Sequence, residues 1–586
     1  MVALAALQLV LAWCGAAGCA PRPNVVLIVV DALRPDHLGC YGYDLPTSPV
    51  IDRLAADGTV FETAISQASW TKASFASLLT SRYPFQTGVT NWFSILPDTV
   101  PTLQETLAAA GYQTVCVINM VGLDGKFGLL RGFAKADVAD KYERRDRETT
   151  DATLGVIAEA RQPFFAMIHY FGTHDPYRPS RESLELVAPD LAAANPARGA
   201  SGGDSAYKAD DTEETSGKAV FDVRLYDACI RDIDAEIGRV AAFLDQRGLA
   251  ATTVLIVTAD HGEAFKEHGR YSHGWSLFDE EIMIPLVVKD PTSPAQAPRR
   301  SFQARSIDIF PTVLDLAGLD PPAGLEGRNL FGPERASAPD FRTFFPPEVA
   351  YCETSMREAV PYLKAVRTLE RKAVVEPATG EISIYDLRAD PREADDLWPD
   401  RVDSRDALLK MLSGVPGFSV KGWRLGFTGA TNRDEFEATI TVPAGARIVD
   451  ADKVAGRGRF DIKIGADMRS LRVAGTTRDL NLVVFDTEPE DAELQVTIKV
   501  GSATSHGAVV PGLYVGRRTE QRPGEPFRIT ARAATGTPVT FEECRDAHTS
   551  AAFLWWAPGQ KLSVAVTPAN LSPEEEKRLR ALGYIQ

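Results

Sequence analysis

Apolar residues fall along this chain in two rhythms, and each predicts its own kind of element. In the first 400 residues the runs NVVLIVV (24–30), TVCVI, FFAMIHY, TVLIVT and IPLVVK are almost unbroken, the pattern of strands buried on both faces. Between them, SPVIDRLAADG and PTLQETLAAAGY carry helical spacing and each ends at a glycine. A longer segment places Ile230, Ile233, Ile237, Val240 and Leu244 at three- and four-residue steps and stops at Gly248, which predicts an amphipathic helix of several turns. Strands alternating with helices imply an α/β layered fold.

From about residue 416 the rhythm changes to period two, in FEATITV, FDIKIG, LNLVVF, ELQVTIKV, FRITARA and LSVAV, separated by Gly, Pro and Asp. That predicts an antiparallel, sandwich-like β domain over 416–568. The tail over 571–586 reads as a helix of its own, with Ser572 and Glu575 as a capping box, Pro573 in the first turn and Gly583 at the stop. Residues 186–218 are rich in Ala, Gly, Ser and Asp without periodicity, and read as a surface insertion.

The first twenty residues, MVALAALQLVLAWCGAAGCA, are apolar but short and end in small residues, as an export signal does, although no Lys or Arg precedes them. AAGC resembles a bacterial lipobox, which makes Cys19 a candidate lipid anchor beside simple secretion. The expected location is therefore periplasmic or extracellular, with or without membrane anchorage. With 586 residues, 45% of them hydrophobic, the chain can bury more than one core. A net charge of -16 without a basic stripe excludes a general nucleic-acid binder. Cys40, Cys116, Cys229, Cys352 and Cys544 have no CxxC spacing, so neither a zinc cluster nor a disulfide framework is indicated.

Five of eight histidines lie in two segments that each follow an apolar run: His169 and His174 in IHYFGTHDPY, and His261, His268 and His273 in TADHGEAFKEHGRYSHG. Ligand sites of open α/β sheets lie at strand carboxyl ends. Asp31 ends NVVLIVV as Asp260 and His261 end TVLIVT, so two carboxylates and an imidazole can converge on one cation. Mixed oxygen and nitrogen ligation favours zinc or manganese, with calcium a weaker fit. The stretch SQASWTKASFASLLTSRYP (66–84) reads as a turn entering a short helix, with Thr71, Lys72 and Ser74 at a helix head that attracts anions and leaves Thr71 exposed. Thr71 then serves as fourth ligand and as nucleophile activated by the metal. Lys72, His174 and His273 are the expected contacts for the non-bridging oxygens of a tetrahedral anion. Taken singly, Thr71 is a helix cap, Lys72 a solvated side chain and each histidine a structural one.

These segments together resemble the sulfatase family of the alkaline phosphatase superfamily over residues 23 to 400. The resemblance is carried by PNVVLIVVDALRPDHLGCYGY, SPVIDRLAADGTVFETAISQASW, LLTSRYPFQTGV, HYFGTHDPY, TADHGEAFKEHGRYSHG, DEEIMIPLVV and IYDLRADPREADDL. It implies a large mixed sheet between helices over 23–415, with a small C-terminal subdomain from about 340 that bears IYDL. Three departures stand out. Thr71 occupies the position that family members fill with the Cys or Ser converted to formylglycine, the usual aspartate pair is Asp31-Ala32, and His261 follows Asp260 where calcium-type members carry an amide. The Thr, Asp-His combination is similar to that of superfamily phosphodiesterases and of phosphoethanolamine or phosphoglycerol transferases.

The expected function is an exported, metal-dependent hydrolase of phosphate or sulfate esters working through a covalent Thr71 intermediate, with phosphate favoured. The substrate would be a small molecule, a glycan or a lipid head group. A head-group transferase acting on envelope glycans or lipids is the alternative within the superfamily, and a non-catalytic glycan-binding protein the alternative outside it.

Overall fold

The computed structural model describes residues 22–557 apart from 91, 93, 140–143, 195–222, 292–298, 333–347, 355–362, 377–380, 398–421, 429–434, 456–458, 477–480, 490, 502–511, 516–518 and 536–550. The leader with Cys19, most of the 186–218 segment, Cys544, the run LSVAV and the tail 571–586 thus lie outside the described residues.

The strands of the first 310 residues are β1 (Asn24–Val30), β2 (Thr59–Ile65), β3 (Gln113–Ile118), β4 (Lys135–Val138), β5 (Phe164–Tyr170), β6 (Thr253–Ala259), β7 (Ala264–Phe265), β8 (Tyr271–Ser272), β9 (Met283–Ile284), β10 (Leu286–Lys289) and β11 (Arg299–Arg305). Nine of them form one sheet in the order β11-β2-β10-β6-β1-β5-β3-β4, with β9 on β2, while β7 and β8 make a separate hairpin. β6, β1, β5, β3 and β4 run parallel, and β10 enters antiparallel between β2 and β6. β1, β5 and β6 are buried along their whole length, which accounts for runs that do not alternate.

Helices cover this mixed sheet in two packed groups. Pro49–Ala56, Asp146–Glu159 and Arg181–Val187 pack on the Arg224–Gln246 helix, whose Ile230, Ile233, Ile237, Val240 and Leu244 are all buried. Thr71–Thr80 packs with Leu103–Ala109 and Ile309–Leu316. All ten residues of Thr71–Thr80 are buried, so its head is an interior position and not an exposed one. Residues 181–187 and 189–194 are helical, so the 186–218 segment begins in helix where the sequence reads as loop. Its Ala-rich composition hides that, because alanine favours helix without marking a face.

A four-stranded antiparallel sheet follows, Ala350–Thr354, Leu363–Arg367, Arg371–Glu376 and Glu381–Asp386, the last holding the IYD of the IYDL segment. Buried charge ties it to the main sheet's loops. Lys372 Nζ lies 2.6 Å from Asp279 and 2.8 Å from Glu393, and Arg367 pairs with Asp279 at 2.7 Å. Although burial raises the Asp279 carboxyl, Arg367 and Lys372 hold it below the carboxylate range.

Beyond residue 421, a six-stranded and a five-stranded sheet enclose a second core that includes Trp423, Leu425, Ile440, Ile498 and Leu554. Glu435–Thr441 alternates inward Phe436, Ala438 and Ile440 with more exposed neighbours. The pairing is antiparallel except that Gly512–Val515 runs parallel to Ala551–Ala557. The latter, AAFLWWA, carries no alternation because its first five residues are all buried, and the period-two pattern passes over it.

Candidate active site

Strand register builds the site. Val30 of β1 stands opposite Ala259 of β6, so Asp31 and Asp260 leave adjacent parallel strands side by side. Both carboxylates are fully buried. Ala32 takes φ of 53°, an unusual conformation for a residue with a side chain, and its N–H donates to Asp260 Oδ1 at 3.1 Å. The same oxygen accepts the His261 N–H at 2.8 Å. Gly262 allows the chain to pass close to its neighbour, since a Cβ there would lie 2.1 Å from the Glu280 carbonyl oxygen.

Thr71 is the first residue of its helix, whose N-cap is Trp70 with no side-chain cap bond. The Thr71 hydroxyl is therefore not a cap. It lies 3.2 Å from His261 Nε2 and 3.4 Å from Asp31 Oδ2. Ser66 and Ser74 hydroxyls each donate to the Asp260 backbone carbonyl at 2.5 Å, fastening the helix to the end of β6.

Burial first, and the neighbouring Asp260 charge second, push the Asp31 carboxyl well above the carboxylate range, with His261 and Thr71 pulling against them. Asp31 Oδ1 and Asp260 Oδ2 make no hydrogen bond among the described residues. His261 Nδ1 sits 2.8 Å from the Gly262 carbonyl, which can only accept, so in the neutral ring the proton is on Nδ1 and the Nε2 lone pair faces the carboxylates. Asp31, Asp260 and His261 offer ligand atoms that all lie within 4.8 Å of one another. Two orphaned carboxylate oxygens and the His261 Nε2 lone pair, which also meets the Thr71 hydroxyl, make a mixed oxygen and nitrogen donor set that could hold a divalent cation.

Two more histidines adjoin this group. The His273 ring lies 4.2 Å from that of His261 and 5.0 Å from that of His174, centroid to centroid. His174 Nδ1 is 2.5 Å from the Asp175 carbonyl, and His273 Nδ1 is 3.2 Å from Glu263 Oε1. Glu263, buried and also 3.3 Å from the Tyr177 hydroxyl, is a site residue that the sequence reading passed over. The signal for it was its place two residues after His261. Lys72 starts the same helix as Thr71, but its ammonium donates to the Trp92 carbonyl at 2.7 Å and lies 3.4 Å from the Phe127 ring centre. Burial lowers its pKa well below the usual lysine value, with Lys126 adding to the effect. The structure thus gathers Asp31, Thr71, Asp260, His261, His273 and His174, while spending at least one Lys72 donor elsewhere. His169, counted among the clustered histidines, is fully buried with Nε2 3.3 Å from Asp31 Oδ2, and burial lowers its pKa to about 4.

A helix whose first residue, Thr71, faces Asp31, Asp260 and His261 at the ends of two parallel strands is an arrangement of hydrolases of the alkaline phosphatase type. A family model described as sulfatase matches residues 23–319, and one described as the C-terminal part of N-sulphoglucosamine sulphohydrolase matches 266–413. The chain belongs to the sulfatase family. It is 23% identical over 477 residues to an N-acetylglucosamine-6-O-sulfatase of Bacteroides thetaiotaomicron, covering 64% of this chain and 83% of the relative. It is 25% identical over 545 residues to human iduronate 2-sulfatase, covering 76% and 93%. In fold it is similar to a structure solved with D-glucosamine-2-N,6-O-disulfate, at TM-score 0.53 and 20% identity over 67% of this chain and 97% of that one. It is also similar to phosphonate monoester hydrolase of Agrobacterium radiobacter, at TM-score 0.51 and 22% identity over 66% and 94%.

Proposed function

We propose that this sulfatase-family hydrolase cleaves phosphate or sulfate esters through a covalent Thr71 intermediate, with phosphate esters preferred. One observation carries the reading: the Thr71 hydroxyl, free of any capping role, lies within 3.4 Å of both His261 Nε2 and Asp31 Oδ2. A divalent cation held by Asp31, Asp260 and His261 supplies positive charge that acidifies the hydroxyl and offsets charge on the transferred group.

Thr71 Oγ1 attacks phosphorus or sulfur as its proton passes to Asp31 Oδ2, the bond to the leaving oxygen breaks, and that oxygen takes up the proton and departs as the alcohol. The uncapped N–H groups of the helix start, together with His174 and His273, face the non-bridging oxygens, and Glu263 orients His273. Water then attacks the Thr71 ester, restoring the hydroxyl and releasing the acid. A formylglycine hydrate expels sulfate by collapsing to an aldehyde, and threonine lacks the second hydroxyl for that route. This favours phosphate. The names of the curated relatives, which specify sulfate esters on N-acetylglucosamine and iduronate, support a glycan as the carrier. Export belongs to the same proposal and is supported by the apolar first twenty residues.

The test is rapid quenching of the metal-loaded enzyme during turnover of an aryl phosphodiester and of an aryl sulfate, followed by peptide mass spectrometry. An adduct on Thr71 and an inactive Thr71→Ala variant are expected. No adduct, with Thr71→Ala turning over at the wild-type rate, overturns the assignment.

A further inference from the structure

We infer that His169 is a positioning residue for Asp31, an imidazole whose Nε2–H holds Asp31 Oδ2 so that Oδ1 stays turned toward Asp260 and His261. The inference rests on the cation site proposed above.

Register sets the relationship. His169 pairs with Val29 across β1 and β5, and Asp31 stands two residues beyond Val29. Side chains two apart along a strand share a face, so the imidazole and the carboxylate are placed on the same side of the sheet. Nε2 approaches Asp31 Oδ2 to 3.3 Å, whereas Oδ1 lies on the side of His261, 3.9 Å from its Nε2.

The ring has no other call on it. Neither nitrogen makes a hydrogen bond among the described residues, and the imidazole is wholly buried. Phe75 meets it edge-on at 5.2 Å between centroids and Phe171 at 6.2 Å. In such a cage an apolar side chain would pack as well without stranding two polar atoms, a cost that a polar ring offsets only by pairing. Asp31 is the acceptor within reach. A small rotation of either side chain would turn the 3.3 Å approach into a hydrogen bond. Metal-bound carboxylates are themselves held by hydrogen bonds of this kind, and losing one costs metal affinity. His169 is not needed as a ligand, since Asp31, Asp260 and His261 already converge without it.

The test compares the full-length wild type with His169→Leu, which removes the donor, and His169→Gln, which keeps an N–H in reach. Zinc and manganese affinities are measured by calorimetry, and the visible spectrum is recorded with cobalt in the site. The expectation is that His169→Leu binds about 10- to 100-fold more weakly. His169→Gln should recover most of that loss, with a cobalt spectrum like the wild type because no ligand has changed. His169→Leu binding as tightly as wild type, or His169→Gln binding as weakly as His169→Leu, overturns the inference. An altered cobalt spectrum in His169→Gln makes His169 a ligand and also overturns it. If His169→Leu does not fold, the affinity and spectrum of His169→Gln decide alone. A wild type that binds no divalent ion overturns the cation site itself, a failure distinct from a wild type that binds and a His169→Leu that binds equally.

Discussion

Val30 and Ala259 are register partners on adjacent parallel strands, and the residue after each is a buried aspartate. Two apolar runs that must pair to bury their backbones thereby deliver two carboxylates to one point. The repulsion between them is a cost that the fold sustains and that a bound cation removes.

Asp260→Asn tests that balance. An amide oxygen can still accept the Ala32 and His261 N–H groups, but the charge facing Asp31 is gone. The variant should lose its tightly held transition metal, about one per chain in the wild type, as read by elemental analysis. Its metal-free form should melt no lower than the metal-free wild type, because the Asp260 charge, which adds to burial in raising Asp31, has been removed. Weak calcium alone, unchanged by the substitution, would contradict the assignment.

Thr71→Ser should keep partial turnover, since a hydroxyl remains beside His261 and Asp31. Thr71→Cys restores the family's usual residue, yet Ala73 and Phe75 stand where the maturation motif has Pro and Arg. Conversion to formylglycine should stay poor, and phosphodiester turnover should fall because a thiolate holds the cation too tightly. Intact-mass measurement and turnover on the same preparation check both points.

Glu281 gives a pH signature. Burial, the largest cause, raises its carboxyl from 4.5 to about 7, against hydrogen bonds from the Ser276 hydroxyl and the Ser276 and Trp275 N–H groups. The folded state therefore keeps a proton that the unfolded chain has released. Stability must fall as pH rises from about 4.5 to about 7 and level off above, as far as this group contributes. Glu281→Gln should flatten that part of a melting-temperature profile. A variant with the same pH slope as wild type would show that Glu281 does not carry it.

Lys372→Met removes the cation between Asp279 and Glu393 and leaves buried negative charge, with Arg367 still paired to Asp279. A loss of about 3–5 kcal/mol in denaturant unfolding is expected. Adding Glu393→Gln should restore part of it. A loss below about 1 kcal/mol would mean that these charges are solvated in solution.

β1, β3, β5, β6 and β10 were legible because strands buried on both faces have to be written as unbroken apolar runs, whereas β2, β4 and β11 carry polar or exposed residues and leave no such run; the candidate cation ligands were legible because they stand where those runs stop. Thr71 stood out as a candidate nucleophile only against Asp31 and Asp260-His261, and the structure places its hydroxyl beside Asp31 and His261. The direction of Lys72 was not, since a four-carbon stem reaches whatever carbonyl and ring the fold brings near, and Trp92 and Phe127 come from other segments. Glu263 acquires a role through His273, ten residues away, by a hairpin too short to leave a pattern. His169 was visible as a letter, but its relation to Asp31 depends on which residue of β1 it faces. Ala551–Ala557 was passed over because, like the main-sheet strands, it is buried nearly throughout, inside a domain whose other strands alternate.

The paired hydroxyls of Ser66 and Ser74 on the Asp260 carbonyl have a mechanical meaning. Ser74 is one helical turn from Thr71, so the Thr71 hydroxyl and the end of β6 are joined by a strut about one turn long. The distance between Thr71 and the end of β6 is thus set by two short hydroxyl bonds and a single helical turn, with no intervening loop to determine it.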